Sequence, residues 1–323
     1  MNIANIFSRD NLPKTIGLLV LILLPVVFDG SYVRHLLIVA LVYAVIASNW
    51  DLSLGYGGIF NFAHLAFFGT GVYFCAVMSK TFGFNPWLTI PGAGLAAVIA
   101  AAIVCLPVLR LKGIYIILVT FAFSQLLLQL VISQAEITGG SVGMVFLPSL
   151  KIGDYNFARD GKLGYYYLAL ALFVASTWFL RRLVKSSFGL SVVALRDNED
   201  YALSRGISLA RQRVLTLMAS ALFTGMAGGF YATYLRVASP QVFGFGILSL
   251  VLSMLLVGGI SSVWGAIVAA FVLTFLSEAM ADLGAWRHLI IASLIVLVLL
   301  FYPGGLIAAL VKLQDKLRGA LQR

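Results

Sequence analysis

Apolar residues in this chain come in long unbroken runs rather than in alternation. Stretches such as 96–109 and 289–300 would be apolar on every face of a helix, as expected of segments surrounded by protein or lipid. An outer-membrane barrel would instead show short alternating segments. Cut at Gly, Pro and charged breakers, the runs predict ten spanning helices, within a range of eight to ten, at 15–29, 33–53, 61–79, 87–109, 113–133, 165–180, 214–235, 247–258, 263–280 and 286–302. The eighth is short for a full crossing, and Gly244, Gly246, Gly258 and Gly259 at its ends fit a broken or tilted helix. The fold class expected is an all-α polytopic membrane protein, one bundle over 1–323.

The basic residues test that count, because Lys and Arg accumulate in the cytoplasmic loops. With the N-terminus inside, fifteen of the 22 Lys and Arg fall in inner segments and seven in outer ones. Both termini are then expected on the cytoplasmic side of a bacterial-type inner membrane. The longest outer loop is 134–164 and the longest inner one 181–213. Arg9 and Lys14 precede the first run with no small-residue cleavage site, so it reads as a retained helix. Leu306, Leu310, Leu313, Leu317 and Leu321, with Lys312, Lys316 and Arg318 between them, predict an amphipathic helix over 306–323 on the inner surface. Composition agrees with a membrane protein: 61% of residues are hydrophobic, and mean hydropathy is +1.02. The net charge of +10 is accounted for by inner loops meeting anionic lipid headgroups. No soluble basic face remains for nucleic acid.

An enzyme would need acids, bases or metal ligands gathered at one place. The three histidines, His35, His64 and His288, lie on different segments, and Cys75 and Cys105 sit inside apolar runs as packing residues. No metal or cofactor site is expected. Gly161-Lys162 is the only Gly-Lys pair and lacks the upstream glycine of a P-loop, so any ATP must be bound by another subunit. The candidates left are polar residues at membrane depth, where each charge costs roughly 2.5–3.5 kcal/mol. Asn49, Asp51, Asn61 and His64 gather round the break "LGYGGIFNF", whose Gly55, Gly57 and Gly58 permit a sharp re-entry. They line a translocation path, or form a hairpin turn with His64 a satisfied interior residue. Gln125 and Gln129 share one helix face, either as path lining or as interhelical glue. Glu278 and Asp282 show the same spacing, as mouth lining or as solvated acids. Gly225, Gly228, Gly229, Gly258, Gly259 and Gly265 predict close helix crossings. A double glycine followed by a helix occurs twice, in "LGYGGIFNFAHLAFFG" and "LVGGISSVWGAIVAAF", a faint internal repeat.

Ten of the protein's 34 charged residues lie between Arg181 and Arg213. Within that loop, Asn198 or Asp197 can cap a short helix through Arg205. Glu199 and Asp200 fall in its first turn and Gly206 is its stop. Five segments resemble the permease family of the high-affinity branched-chain amino acid ABC importers, M-type subunit. They are Asn49–Tyr73, "EITGGSVGM" at Glu136–Met144, Ser187–Ser208, "GGISSVWGAIVAAF" at Gly258–Phe271 and "YPGGL" at Tyr302–Leu306. They occur in the family's order from end to end of the chain. Asp200, Ala202 and Gly206 echo the coupling signature of ABC import permeases. The resemblance implies a multi-span permease that pairs with a second homologous permease, two ATP-binding cassette ATPase subunits and an external substrate-binding protein. It makes the charged loop a cytoplasmic coupling helix seated in the ATPase, with Arg196, Asp197, Asn198, Glu199, Asp200 and Arg205 as polar contacts and Tyr201, Ala202 and Leu203 as apolar ones. Urea and short-chain amide permeases share much of this pattern. A stand-alone secondary transporter is the reading from another class, with Asp51 its main support.

Overall fold

Helices form at every one of the ten places where the apolar runs lie. The computed structural model describes residues 12–27, 30–153, 155–158, 162–284, 286–301 and 305. The expected tail helix over 306–323 lies outside them. The ten are α1 (Leu12–Val27), α2 (Ser31–Asp51), α3 (His64–Lys80), α4 (Pro86–Val108), α5 (Ile114–Ser133), α7 (Leu163–Val184), α10 (Leu209–Leu235), α11 (Phe245–Gly258), α12 (Val263–Ala279) and α13 (Trp286–Phe301). Three short helices join them: α6 (Ala135–Thr138), α8 (Ser187–Asp197) and α9 (Glu199–Ser204). By length and composition, five segments among the described residues can cross a membrane: Ser31–Tyr56, Pro86–Val108, Ile114–Ser133, Leu163–Val184 and Leu209–Leu235.

Two helices run past their apolar cores for local reasons. α10 begins at Leu209 rather than 214 because the Ser208 hydroxyl caps it, accepting from the Arg211 amide at 3.4 Å. α7 continues to Val184 with Arg181 and Arg182 in its last turn, where cations complement the helix dipole.

α2 is the axis of the bundle. Its side chains from Leu36 to Asp51 are buried apart from Val39 and Tyr43, and α7, α10, α11 and α12 surround it. A second packed unit is α3, α4 and α10, which approach closely because the crossings are built from small residues. A Cβ on Gly71 would strike the Gly225 carbonyl, one on Gly225 the Ala93 carbonyl, and one on Gly228 the Phe68 carbonyl. Gly258 and Gly265 meet in the same way between α11 and α12. The packing role expected of these glycines is thus what the structure shows. α11 is a short helix, preceded by a 3-10 turn at Pro240–Phe243.

The all-α expectation needs one small correction. The described residues include four two-residue strands: β1 (Met144–Val145), β2 (Lys151–Ile152), β3 (Tyr155–Asn156) and β4 (Val237–Ala238). β1 pairs antiparallel with β4, Met144 opposite Ala238, and β2 with β3. Such short pairs carry no alternation for a sequence to display. They fold the 134–164 segment down onto the end of α10, where Arg236 Nε donates to the Leu147 carbonyl at 2.9 Å and Tyr165 donates to that of Thr233 at 3.0 Å.

Candidate coupling and translocation site

α2 does not stop at Asp51 but loosens into a π turn, Leu52–Tyr56, a form that appears mostly as single turns at functional sites. The chain then reverses through Gly57 and Gly58 into α3. Gly58 has φ +63°, and a Cβ there would lie 2.7 Å from Arg196 Cγ, so the position needs glycine on both counts. The reversal is held by side chains. Trp50 Nε1 donates to the Asn61 carbonyl at 2.8 Å, Asn61 Nδ2 donates to Ser53 Oγ at 2.8 Å, and Asn61 Oδ1 accepts from the Ala63 amide at 3.1 Å. From α5, Thr120 Oγ1 accepts from the Phe62 amide at 2.9 Å and Ser124 Oγ donates to the Phe62 carbonyl at 3.1 Å. Asn61 is therefore the knot of the turn rather than an open lining group.

The second double glycine lies against the first. Asp51 Oδ1 accepts from the Ser261 amide at 2.8 Å, which ties the end of α2 to the bend between α11 and α12. Gly55 leaves room for that contact, since a Cβ on it would strike both Asp51 Oδ1 and Ser261 N. Gly305, from the Tyr302–Leu306 motif, is buried against the backbone of Gly258 and Gly259.

Arg196 closes the junction. It stands at the end of α8, and its guanidinium donates to the Gly55 carbonyl at 2.9 Å and to Ser261 Oγ at 2.7 Å. It also pairs with Asp197 at 2.8 Å. A single nitrogen, Nη1, thus reaches both helix breaks at once, while Nε and Nη2 hold Asp197.

Beyond Arg196 the arm turns. Asn198, not Asp197, caps α9, its Oδ1 accepting from the Tyr201 amide at 2.9 Å. The helix ends at Ser204, with Gly206 left-handed at φ +81°. The apolar trio divides: Ala202 is 1% exposed against its own chain, while Tyr201 and Leu203 are 58% and 43% exposed. Glu199 also faces inward, bonding Lys112 at 2.8 Å and Arg213 at 3.5 Å. Asp200, Tyr201, Leu203 and Arg205 form the outward side, and Arg205 lies 5.2 Å over the Tyr201 ring. Ala202 is thus a packing residue of the arm and presents no outward surface.

The intramembrane candidates separate too. Asn49 is buried, its Nδ2 donating to Ser176 Oγ at 2.7 Å, with Oδ1 left unpartnered among the described residues. Asp51 Oδ2 finds no partner among the described residues either. His64 is fully buried, stacked on Trp50 at 5.5 Å and edge-on to Phe67, and neither ring nitrogen finds a partner among the described residues. It is packed but unsatisfied, which neither sequence reading anticipated. Gln125 is half-buried and Gln129 exposed on α5, and neither makes a hydrogen bond among the described residues. Glu278 and Asp282 do not share a helix face, because α12 ends at Ala279 and Asp282 lies in a 3-10 turn. Sequence reasoning passed over Trp50, Ser53, Thr120 and Ser261. A tryptophan inside an apolar run and the paired serines of "GGISS" were the signals available.

Comparison with known proteins bears on this geometry. Residues 32–302 match the family described as branched-chain amino acid transport system / permease component. The chain belongs to that family. It is similar to the high-affinity branched-chain amino acid transport system permease protein LivM of Escherichia coli K12, 29% identical over 288 residues covering 83% of this chain and 68% of that one. A probable branched-chain amino acid transport permease protein LivH of Methanocaldococcus jannaschii is 23% identical over 224 residues, 66% of this chain and 69% of the relative. The autoinducer 2 import system permease protein LsrC of Photorhabdus luminescens is 27% identical over 155 residues, 46% of each chain. No solved structure matches. As a member of this family the chain is a multi-pass membrane permease, and both glycine breaks and the Arg196 arm lie inside the matched residues.

Proposed function

We propose that this chain is the membrane subunit of an ABC importer for branched-chain amino acids, worked by separate ATPase subunits and paired with a second homologous permease. An external substrate-binding protein delivers the cargo. The ten helices span a bacterial inner membrane with both termini cytoplasmic, so that the 181–213 arm faces the ATPase and the 134–164 segment faces out. The whole chain is one permease domain.

The observation that carries this reading is the double contact of Arg196. An ATPase can act on substrate only if its motion crosses from a soluble engine into the spans, through an element that projects and yet grips the helices behind it. The α8–α9 arm has that form: its exposed side is mixed in charge with two apolar side chains, and its root is hydrogen-bonded to the breaks after α2 and α11. Displacing the arm pulls on Gly55 and Ser261 together, and with Ser261 on Asp51. Asn49, Asp51, Gly57, Gly58, Asn61 and His64 therefore sit where the motion arrives.

Crosslinking tests the reading. In the assembled complex, cysteine at Leu203 should crosslink to a cysteine on the ATPase surface, and cysteine at Ala202 should not. Absence of any ATPase crosslink from Leu203 or Tyr201 would overturn it. An impermeant thiol reagent applied outside should label a cysteine at Asn156 and spare one at Asn198.

A further inference from the structure

At the opposite end of the bundle from Arg196, a cavity of about 550 Å3 opens between α2, α11, α12 and α13, within the size range of small-molecule sites. Part of its lining is already bonded, His35 to Tyr234 at 2.6 Å among them, but a helix end and a buried hydroxyl are not. The amides of Phe245, Gly246 and Ile247 open α11, whose N-cap carbonyl, that of Gly244, accepts from the Leu248 amide at 3.3 Å, and no side chain caps them among the described residues. Gly246 and Ile247 line the cavity, and a Cβ on Gly246 would meet nothing within 4 Å. Such an end favours an anion.

On the facing helix, Glu278 is the one carboxylate of the lining, and no Lys or Arg accompanies it among the described residues. One of its oxygens accepts from Tyr32 at 2.8 Å. Thr274, one turn deeper and 5% exposed, lines the same cavity with a hydroxyl that has no partner among the described residues. The serines nearby are already engaged, Ser249 with the Gly246 carbonyl at 3.0 Å and Ser253 with that of Ser249 at 2.5 Å. Leu36, Leu250, Ile291 and Ile295 make the apolar remainder of the wall.

A ligand that completes this cavity carries an anionic group, an ammonium and a short apolar body. We infer that the cavity is a binding site for a free α-amino acid with an aliphatic side chain, its carboxylate at the α11 N-terminus and its ammonium at Glu278, with Thr274 as a further hydrogen-bonding group. The inference rests on the transport reading for placing the mouth on the outer side. There the cavity would hold cargo before it enters the bundle. A phosphatidylethanolamine headgroup shares the chemistry, and the test separates the two.

The test is protection of a reporter in the full chain, held in phosphatidylcholine nanodiscs. Ser249→Cys is exposed to a charged methanethiosulfonate reagent, with buried Cys75 and Cys105 left in place. Leucine should slow modification. 4-Methylpentanoate, which lacks the ammonium, and 3-methylbutylamine, which lacks the carboxylate, should each need about tenfold more, the loss of one charge-assisted contact. Glu278→Gln should raise the leucine requirement about tenfold while leaving that of 4-methylpentanoate unchanged, a split that general loosening would not produce. Ser277→Cys reports on the same cavity from α12. No protection by leucine at either reporter, protection insensitive to Glu278→Gln, or protection by added phosphatidylethanolamine alone would each overturn the proposal. Leucine uptake by the assembled complex is measured alongside. Normal uptake without protection removes the cavity site and keeps the transport reading, whereas protection without uptake supports the site and removes that reading.

Discussion

The two ends of the bundle differ in what their polar groups are tied to. Where α2 breaks, Arg196, Asn61, Ser53, Thr120 and the Ser261 amide are each bonded within the chain. Around the cavity at the other end, the α11 amides and Thr274 are left free. A joint that transmits motion must be saturated by its own protein, so that one part cannot move without the other. A site that binds must keep donors and acceptors for its ligand. Five residues at the Arg196 end cross the line: among the described residues, Asn49 Oδ1, Asp51 Oδ2, both His64 nitrogens, Gln212 Oε1 and Thr216 Oγ1 find no partner.

The largest effect is expected at the root of the arm. Arg196→Ala removes the donors to Gly55 and Ser261, charge-assisted bonds worth about 1.5–3 kcal/mol each, and disconnects the arm from both breaks. Leucine uptake by the reconstituted complex should fall at least about tenfold, with ATPase co-purification unchanged because the outward face of α9 is intact. Arg196→Lys keeps one donating nitrogen but loses the separate Nε and Nη2 that hold Asp197 and orient Nη1, and should fall between. Undiminished uptake in Arg196→Ala would mean that saturation at this end is only packing.

How much of this was readable from the chain follows from what periodicity can carry. Ten apolar runs became ten helices because a helix buried on all sides must be apolar on all sides, whatever its neighbours. Asn198 and Gly206 were legible as the cap and stop of α9 because both act on backbone within a few residues. The inward turn of Ala202 and Glu199 was not, since the partners of Glu199, Lys112 before α5 and Arg213 on α10, lie 87 and 14 residues away. Arg196 looked like one charge among many on a wet loop. Its partners, Gly55 and Ser261, are 141 and 65 residues away, and nothing local records them. Gln125 and Gln129 share a face as their spacing required, but spacing does not say what that face meets.

Asp51 sharpens the comparison next. Asp51→Ala leaves the Ser261 amide unpaired, a cost of about 1–3 kcal/mol, and should lower the thermal unfolding midpoint of the purified chain by several degrees. Asp51→Asn keeps an acceptor at Oδ1 and should stay within about 1 kcal/mol of the parent. The opposite order would show that the charge itself matters, and would return Asp51 to an ion-coupling role.

His64→Phe keeps the stack on Trp50 and removes two buried nitrogens without partners. Stability should hold or rise by about 1 kcal/mol, while uptake falls severalfold, the mark of a costly group kept for work rather than for packing. Uptake equal to the parent's would make His64 a filler of the turn.

The smallest effect is expected at the ion pair that pins α9 to the body. Lys112 bonds Glu199 at 2.8 Å but is 77% exposed, whereas Arg213, 12% exposed, approaches the same carboxylate at 3.5 Å and also donates to the Leu111 carbonyl at 3.3 Å. Solvent screens the shorter bond, so geometry and energy rank the two partners in opposite orders. Lys112→Ala should change the unfolding free energy by no more than about 0.2–1 kcal/mol, a difference that shrinks in high salt. Arg213→Ala should cost more, because it strips a half-buried carboxylate of its sheltered partner and leaves a carbonyl unmet. A Lys112→Ala variant that uncouples ATP hydrolysis from uptake would place the transmitting contact at this exposed pair rather than at the Arg196 junction.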